Sequence, residues 1–304
     1  KFIEKHINGV KYLNVTWFGG EPLLGMPVVG NLSEKMIALC DEKKIQYSAK
    51  MITNGYLLTR DMAQRLKKYK IHSAQVTLDG PREIHDMRRP LINGNGTYDV
   101  IMENLRELDG VLKVGLRINV DIDNFSAANE VVKYIKENEM TNYIKPYLGL
   151  VIPYNGVYDN GKCLSEESYS KYNLQFLIDN NLPVQSIYPK PKGNYCTADS
   201  INGWVVDDKG YLYKCWNDIG ITEHSVGSVN FGAAFLQNTE LLSAYFSFDP
   251  SINEDCKDCK LLPVCLGGCP KNRIERGIMC DQIKFYIQNY LIKCTQVLLS
   301  QKHK

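Results

Sequence analysis

Seven of the ten cysteines in this 304-residue chain lie between residues 196 and 280, and four of those form one run, Cys256-x2-Cys259-x5-Cys265-x3-Cys269. Thiolates two to five residues apart wrap a soft metal centre well. Neighbours in such a loop are too crowded for several independent disulfides of good geometry. Gly267, Gly268 and Pro270 lie in the same run, and the glycines let the backbone fold closely around a bound group. Two metal chemistries compete for these sulfurs. Structural zinc wants four ligands in a closed tetrahedron. Seven cysteines instead make one four-thiolate set and one three-thiolate set, and an iron–sulfur cluster tolerates three because its remaining iron can take another ligand. Iron–sulfur is therefore the favoured reading, with zinc as the alternative. Cys40, Cys163 and Cys294 are read as inert thiols. Cys40 lies in an amphipathic helical stretch, and Cys294 in another that runs from Phe285 to Leu299.

A second constellation is polar. One strand-like run ends in Trp17-Phe18-Gly19-Gly20-Glu21-Pro22, where two glycines expose backbone carbonyls beside a carboxylate, a combination that can hold an ammonium group. The next ends in Thr53-Asn54-Gly55, and the third in Thr77-Leu78-Asp79-Gly80. A fourth carries Arg117, Asn119 and Asp121 at period-two spacing, which puts all three on one face. Each residue alone could be no more than a loop entry. The four sets together converge on one rim and favour a single ligand pocket.

The elements that position these residues alternate. Tyr12–Phe18, Gln46–Thr53, Ser73–Leu78, Leu112–Val120 and Tyr143–Ile152 read as strands. Helices are expected between them, with Ser33 capping 34–44, Thr59 capping 60–69, Thr97 capping 98–108 and Ser126 capping 127–138. Strand–helix alternation implies a parallel sheet with right-handed crossovers, and chemistry in such α/β folds gathers at the strand C-termini. Beyond a helix over 165–179, Pro183, Pro189 and Pro191 mark a linker. A loop-rich part follows, with a hairpin over 204–216. Lys+Arg number 36 against 34 Asp+Glu, which suggests no nucleic-acid field. No uninterrupted apolar run reaches the roughly 18 residues of a membrane span. Tyr147, Tyr154 and Tyr158 near the fifth strand's end are candidates to line a substrate groove. The five histidines show no ligand spacing, and satisfied or exposed histidines are the default for all of them.

In these residues the chain resembles radical SAM enzymes with a C-terminal SPASM domain. The family's Gly-Gly-Glu-Pro segment, which contacts the amino group of S-adenosylmethionine (SAM), matches Gly19, Gly20, Glu21 and Pro22. Its Ser/Thr-x-Asp-Gly strand end matches Thr77, Asp79 and Gly80. The segment that follows matches His85, Asp86, Arg89, Gly94, Gly96, Thr97 and Tyr98. A strand Arg and Asn used for SAM match Arg117 and Asn119. The SPASM spacing matches Cys196, Gly210, Cys215, Cys256, Cys259, Cys265, Cys269 and Cys280. The resemblance implies a partial (β/α)6 TIM-like barrel over 1–180, lacking its first strand, then a cysteine-rich SPASM domain over 181–304 with a hairpin and a C-terminal helix. It implies two auxiliary [4Fe–4S] clusters, an outer one on Cys256, Cys259, Cys265 and Cys280 and an inner one on Cys196, Cys215 and Cys269. Thr197 to Gly203 supply no fourth inner cysteine. That leaves an iron open to a substrate thiolate, with Cys163 as the internal competitor.

The family's defining Cys-x3-Cys-x2-Cys motif, which holds a third, SAM-binding cluster, does not occur in the 304 residues. The expectation is a catalytically incomplete piece of a longer protein. In full it would be a cytoplasmic maturase that uses a 5′-deoxyadenosyl radical to modify a ribosomally made peptide, Cys-containing where the open iron takes its thiolate, by a thioether or other crosslink. An external donor such as flavodoxin or ferredoxin would supply electrons, and no nucleic acid or membrane partner is expected. Two alternatives stand beside it. One is an anaerobic sulfatase-maturating enzyme, whose members tend to carry an Asp after the Gly-x4-Cys, where this chain has Trp216. The other is a non-catalytic iron–sulfur module that binds a peptide.

Overall fold

The structure is a computed structural model that describes residues 1–152, 160–187, 189–230 and 236–302. Tyr154 and Tyr158 lie outside the described residues. The chain forms two compact units. One comprises Ile7–Ser165 with Ile178–Asn181; the other comprises Lys1–His6, Glu166–Leu177 and Leu182–Lys304. The boundary expected at 180/181 therefore differs at both ends of the first span. The short helix α1 (Phe2–His6) groups with the cysteine-rich unit because Phe2 packs on that unit's hairpin core of Leu212 and Val226. The helix over 166–179 groups mostly there too, and its Ser170 hydroxyl reaches the Gln282 carbonyl.

The first unit is a five-stranded sheet in the order β1 (Tyr12–Trp17), β2 (Gln46–Thr53), β3 (Ile71–Leu78), β4 (Lys113–Val120) and β5 (Ile144–Leu150), with every neighbouring pair parallel. The α/β partial barrel is thus present, and its strands lie within two residues of the expected bounds. Alternation explains the layering. Val76, Leu78, Leu116, Ile118 and Val120 are buried on the apolar face. Gln75, Thr77, Asp79, Arg117 and Asn119 alternate with them and give the other face its polar lining.

Helices α2 (Met26–Glu42), α3 (Arg60–Lys68), α4 (Arg82–Arg88), α5 (Tyr98–Arg106) and α6 (Ala128–Glu137) follow β1 to β4. Each of the longer ones buries residues at three- and four-residue spacing, such as Ile101 with Leu105 and Val131 with Ile135. Thr59 caps α3 as expected, its hydroxyl accepting the Met62 amide at 3.2 Å. Three of the four expected caps fail, Thr97 among them through a contact described below. Ser33 is fully buried inside α2, which begins earlier because Pro27 suits a first helical turn. Ser126 lies in a 3-10 turn (Phe125–Ala127) that leads into α6 and makes no cap.

The stretch Pro22–Glu42 does have the length and mean hydropathy of a membrane span. Glu34, Lys35 and Asp41 hid it from a search for an uninterrupted run. Met26, Val29, Met36 and Cys40 are buried in the unit, which is the pattern of a core helix.

The second unit holds α1, α7 (Glu166–Asp179) and a small antiparallel sheet of β6 (Val205–Val206), β7 (Tyr211–Tyr213) and β8 (Gly227–Ser228). Four helices complete it: α8 (Thr239–Phe246), α9 (Leu262–Cys265), α10 (Pro270–Arg276) and α11 (Ile283–Lys302). The Gly-x4-Cys spacing has a local cause here. Gly210 adopts φ +83°, and a Cβ there would meet Asn230 Nδ2 at 2.8 Å, so the turn that opens β7 needs glycine. Asp207 Oδ1 fastens the turn by accepting the Lys209 and Tyr211 amides at 3.0 and 2.7 Å, and β7 then delivers Cys215.

Candidate functional site

The ends of β1 and β2 are locked together by one carboxylate. Glu21 accepts the Thr53 hydroxyl at 2.8 Å, the Asn54 amide at 2.8 Å and the Leu23 amide at 3.0 Å. Gly19, Gly20, Glu21 and Pro22 are thereby held against Thr53 and Asn54. Gly19 and Gly20 are exposed, and a Cβ on either would meet nothing within 4 Å, so the space over this turn is open to a ligand. A cavity of about 400 Å³ lies alongside, lined by Glu21, Asn54, Tyr56, His85, Arg89 and Thr97 among others.

The ends of β3 and β4 carry a second cluster. Arg117 Nε donates to Asn119 Oδ1 at 2.8 Å, and Asn119 Nδ2 donates to Asp79 Oδ1 at 2.9 Å. Arg89 Nε closes the chain on Asp79 Oδ2 at 2.7 Å. Arg117 also donates to the Leu150 carbonyl at 3.2 Å and lies directly over Gly149, where a Cβ would run into its Nε. Thr77 sits beside Arg117 in the sheet register but makes no side-chain hydrogen bond among the described residues.

Asp121 is fully buried and paired with Arg88 at 2.9 Å, and it accepts the Asp123 and Asn124 amides. It therefore positions the loop after β4, a correction to its candidacy for contacting a ligand. Asn124 was missed from sequence. Its amide donates to the carbonyls of Asp79 and Asn119 at 2.7 and 2.9 Å and ties both strand ends. The Asp-x-x-Asn spacing was the available signal.

The His85-to-Tyr98 segment folds into a clasp. Asp86 Oδ1 accepts the Thr97 and Tyr98 amides at 2.7 and 2.8 Å and so caps α5, while a Cβ at Gly96 would strike the same carboxylate. Thr97, expected to cap α5 itself, donates instead to the Arg89 carbonyl at 2.8 Å. Asp86→Ala removes both amide contacts and should lower stability by about 1–2 kcal/mol, read as a shift in urea midpoint.

His85 is fully buried, and its Nδ1 accepts the Asp79 amide at 3.2 Å. The ring is therefore neutral with its proton on Nε2, which lies 3.1 Å from Thr97 Oγ1. Burial pushes its pKa from 6.5 down to about 4, partly offset by the Asp79 charge. On acidification the unfolded chain takes this proton first. The stability it contributes is complete above pH 6.5 and falls away as pH drops to about 4, by about 3 kcal/mol at most. A His85→Asn variant should show a correspondingly flatter loss of urea midpoint between pH 6.5 and 4 than the parent chain.

In the second unit the sulfurs form two groups. Cys256 lies within electrostatic range of Cys265, Cys280 and Cys259. Cys196 and Cys215 each lie within range of Cys269. Leu266, Gly267 and Gly268, at φ +51°, +78° and +77°, turn the chain between Cys265 and Cys269. A Cβ at Gly267 would meet the Phe248 ring at 2.5 Å.

Burial, then neighbouring charges, raises the Cys256, Cys196 and Cys215 thiols, with Cys215 reaching about 11. Neighbouring thiolates repel one another, and a cationic metal core between them would remove that penalty. Arg273 Nε and Trp204 Nε1 are buried beside this part of the chain without an acceptor. These features fit a sulfur-rich cluster. The other metal-like grouping does not fit a metal. Asp218, His224 and Glu275 converge, but the Lys271 ammonium fills the centre by bonding Asp218 and Glu275. Cys163 belongs to the sheet unit, after a 3-10 turn (Asn160–Lys162).

A parallel partial barrel with polar strand ends, followed by grouped cysteines, defines a class of cofactor-dependent enzyme. Residues 3–137 match the Radical SAM superfamily, which makes this part of the chain a radical SAM domain and the chain an enzyme. SAM and iron–sulfur clusters are accordingly its cofactors. The chain is 25% identical over 299 residues to a cysteine-type anaerobic sulfatase-maturating enzyme of Clostridium perfringens, covering 90% of this chain and 78% of that one. Among solved structures, native anSMEcpe with bound AdoMet and Kp18Cys peptide superposes at TM-score 0.67, with 20% identity, covering 95% and 87% of the two chains. Streptococcus suis SuiB bound to precursor peptide SuiA gives TM-score 0.59 and 17% identity over 90% and 64%. At these identities the two structures establish the fold.

Proposed function

We propose that this chain acts on a polypeptide as a radical SAM maturase. The observation that carries the reading is the presence in one chain of a strand-end SAM cradle and two separate cysteine groups. When bound, SAM and its clusters supply radical hydrogen abstraction and electron transfer. The chain's own residues do the positioning. Gly19 and Gly20 leave the approach open for the SAM ammonium, and Glu21, Thr53 and Asn54 hold that turn in place. Arg117 and Asn119, aligned by Asp79, offer donors to the rest of the cofactor. Cys256, Cys259, Cys265 and Cys280 hold the outer auxiliary cluster, and Cys196, Cys215 and Cys269 the inner one. Such oxygen-labile groups belong in a reducing, cytoplasmic setting, with a flavodoxin- or ferredoxin-like donor.

Oxidation of a cysteine side chain to an aldehyde, as in sulfatase maturation, is the first reading. It is supported by an alignment with the clostridial enzyme that runs along nine-tenths of the chain. A second reading, crosslinking of a ribosomally made precursor peptide, is favoured by one position. Trp216, 58% exposed, directly follows Cys215 where sulfatase-maturating members tend to carry Asp. Asp218 is buried and committed to Tyr245, His224 and Lys271.

The test incubates the full gene product, reconstituted anaerobically, with SAM, dithionite and a Cys-bearing sulfatase peptide. A hydrazine-reactive aldehyde on the peptide is expected. Loss of two hydrogens and a free thiol from a Cys-bearing precursor peptide, with no aldehyde, would establish the second reading. SAM turnover with neither product would contradict both.

A further inference from the structure

The five strands of the first unit contain no aspartate or glutamate, yet they carry Lys50, Lys113, Arg117 and Lys145. The register puts all four cations on the polar inner face. Lys50 and Lys113 stand on either side of Ser73 in one row, Lys145 lies beside Gly115 in the next, and Arg117 beside Thr77 in the row above. Two side-chain contacts tie this face together across strands. Ser48 donates to Asn14, and Tyr147 crosses Gly115 to donate to Gln75 Oε1 at 2.6 Å, which leaves the Gln75 side chain with only N–H to offer. Lys50, Lys113 and Lys145 are exposed. Lys145 donates to the Thr141 carbonyl at 2.7 Å, while Lys50 and Lys113 make no ion pair or side-chain hydrogen bond among the described residues.

The helical side of the same unit is different. There Lys70 pairs with Asp41, Arg82 with Asp99, Arg106 with Glu103 and Lys133 with Glu137. Charge is mixed around the helices and of one sign on the inner face. A face lined by one sign of charge raises the local concentration of the opposite sign. The spacing narrows the ligand. Adjacent strands are about 4.8 Å apart, so Lys50 and Lys113, two strands apart, have Cα atoms about 10 Å from each other. At about 3.3 Å per residue, carboxylates three residues apart on an extended chain span the same distance. Arg117 of the SAM cradle lies four residues above Lys113 on β4, about 13 Å along the strand.

We infer that the inner face of this sheet is a docking floor for an acidic stretch of the polypeptide substrate, with Lys50 and Lys113 receiving two carboxylates about three residues apart and Gln75 and Ser73 donating between them. The inference rests on the reading that the substrate is a polypeptide, and it names the composition of the part that binds away from the reacting residue. That part lies about four residues of extended chain from the residue presented to SAM. Lys50 and Lys113 set specificity by charge and take no part in the chemistry.

The test measures fluorescence anisotropy of two labelled peptides on the 304-residue chain. Each has one Cys; one carries two Glu residues three apart, the nearer four residues from the Cys, and the other carries Gln at both places. Both are made in either sequence order. At low salt the Glu peptide should bind about tenfold more tightly than the Gln peptide in one order, and the difference should shrink as salt is added. Lys50→Gln with Lys113→Gln should remove that preference, while Lys50→Arg with Lys113→Arg should keep it. Lys67→Gln, an exposed lysine of α3 on the helical side, should bind like the parent. Equal affinity of the parent for both peptides, or an equal loss in Lys67→Gln, overturns the inference. In the reconstituted full gene product, modification of the Glu and Gln peptides with the same KM overturns it and leaves the polypeptide reading standing. Charge-selective binding with no SAM-dependent modification of any peptide supports the floor and overturns the maturase reading instead.

Discussion

Cys265→Ala and Cys269→Ala, only four residues apart, should each remove one cluster and leave the other. About eight iron and eight sulfide per reconstituted chain should fall to about four of each in either variant. The two residual paramagnetic signals should differ, because Cys265 groups with Cys256, Cys259 and Cys280 whereas Cys269 groups with Cys196 and Cys215. The cause is local. Three successive residues with left-handed backbone, Leu266 to Gly268, turn the chain between the two sulfurs. At Gly268 a Cβ would collide with the Met279 carbonyl, so the route is fixed by the absence of a side chain. Identical residual signals in the two variants, or full iron in either, would contradict the division.

Gly149→Ala should abolish most SAM binding without unfolding the chain. The added methyl occupies the space of the Arg117 guanidinium. Arg117 must leave Asn119 and the Leu150 carbonyl, and Asn119 then loses the partner that orients it toward Asp79. Loss of charge-assisted hydrogen bonds of this kind costs about 1.5–3 kcal/mol each, so SAM should bind at least tenfold more weakly by calorimetry. Gly115→Ala is the internal control. Gly115 lies two residues before Arg117 on the same strand, and its added Cβ makes ordinary contact with Tyr147 at 3.5 Å. That variant should bind SAM like the parent. Weakened binding in both variants, or in neither, would separate Arg117 from the cofactor site.

The sheet was legible because its strands alternate apolar and polar residues at period two and end in Gly, Asn or Asp. Helix starts were less legible. Ser33 looks like a cap by type, but the real start lies seven residues earlier, where Pro27 fits a first turn and Glu21 fastens the preceding loop. Thr97 sits at the correct cap position, yet the capping oxygen comes from Asp86 across a loop. That contact is set by tertiary closure and has no local signature beyond Gly96.

At the candidate site, Glu21, Asp79, Arg117 and Asn119 could be picked by residue type and strand position. Their mutual bonding could not, because it depends on the register of β3 against β4. Spacing alone gave the seven cysteines a four-plus-three count. Their division into particular sets came from resemblance, and the structure adds a left-handed turn between Cys265 and Cys269.

The most direct measurement is the iron, acid-labile sulfide and zinc content of the parent chain, purified without oxygen and reconstituted. The account predicts about eight iron, about eight sulfide and no stoichiometric zinc, from two four-iron clusters on the two cysteine groups. About two zinc with no sulfide would contradict it, and would make the cysteine-rich unit a metal-stapled structural domain.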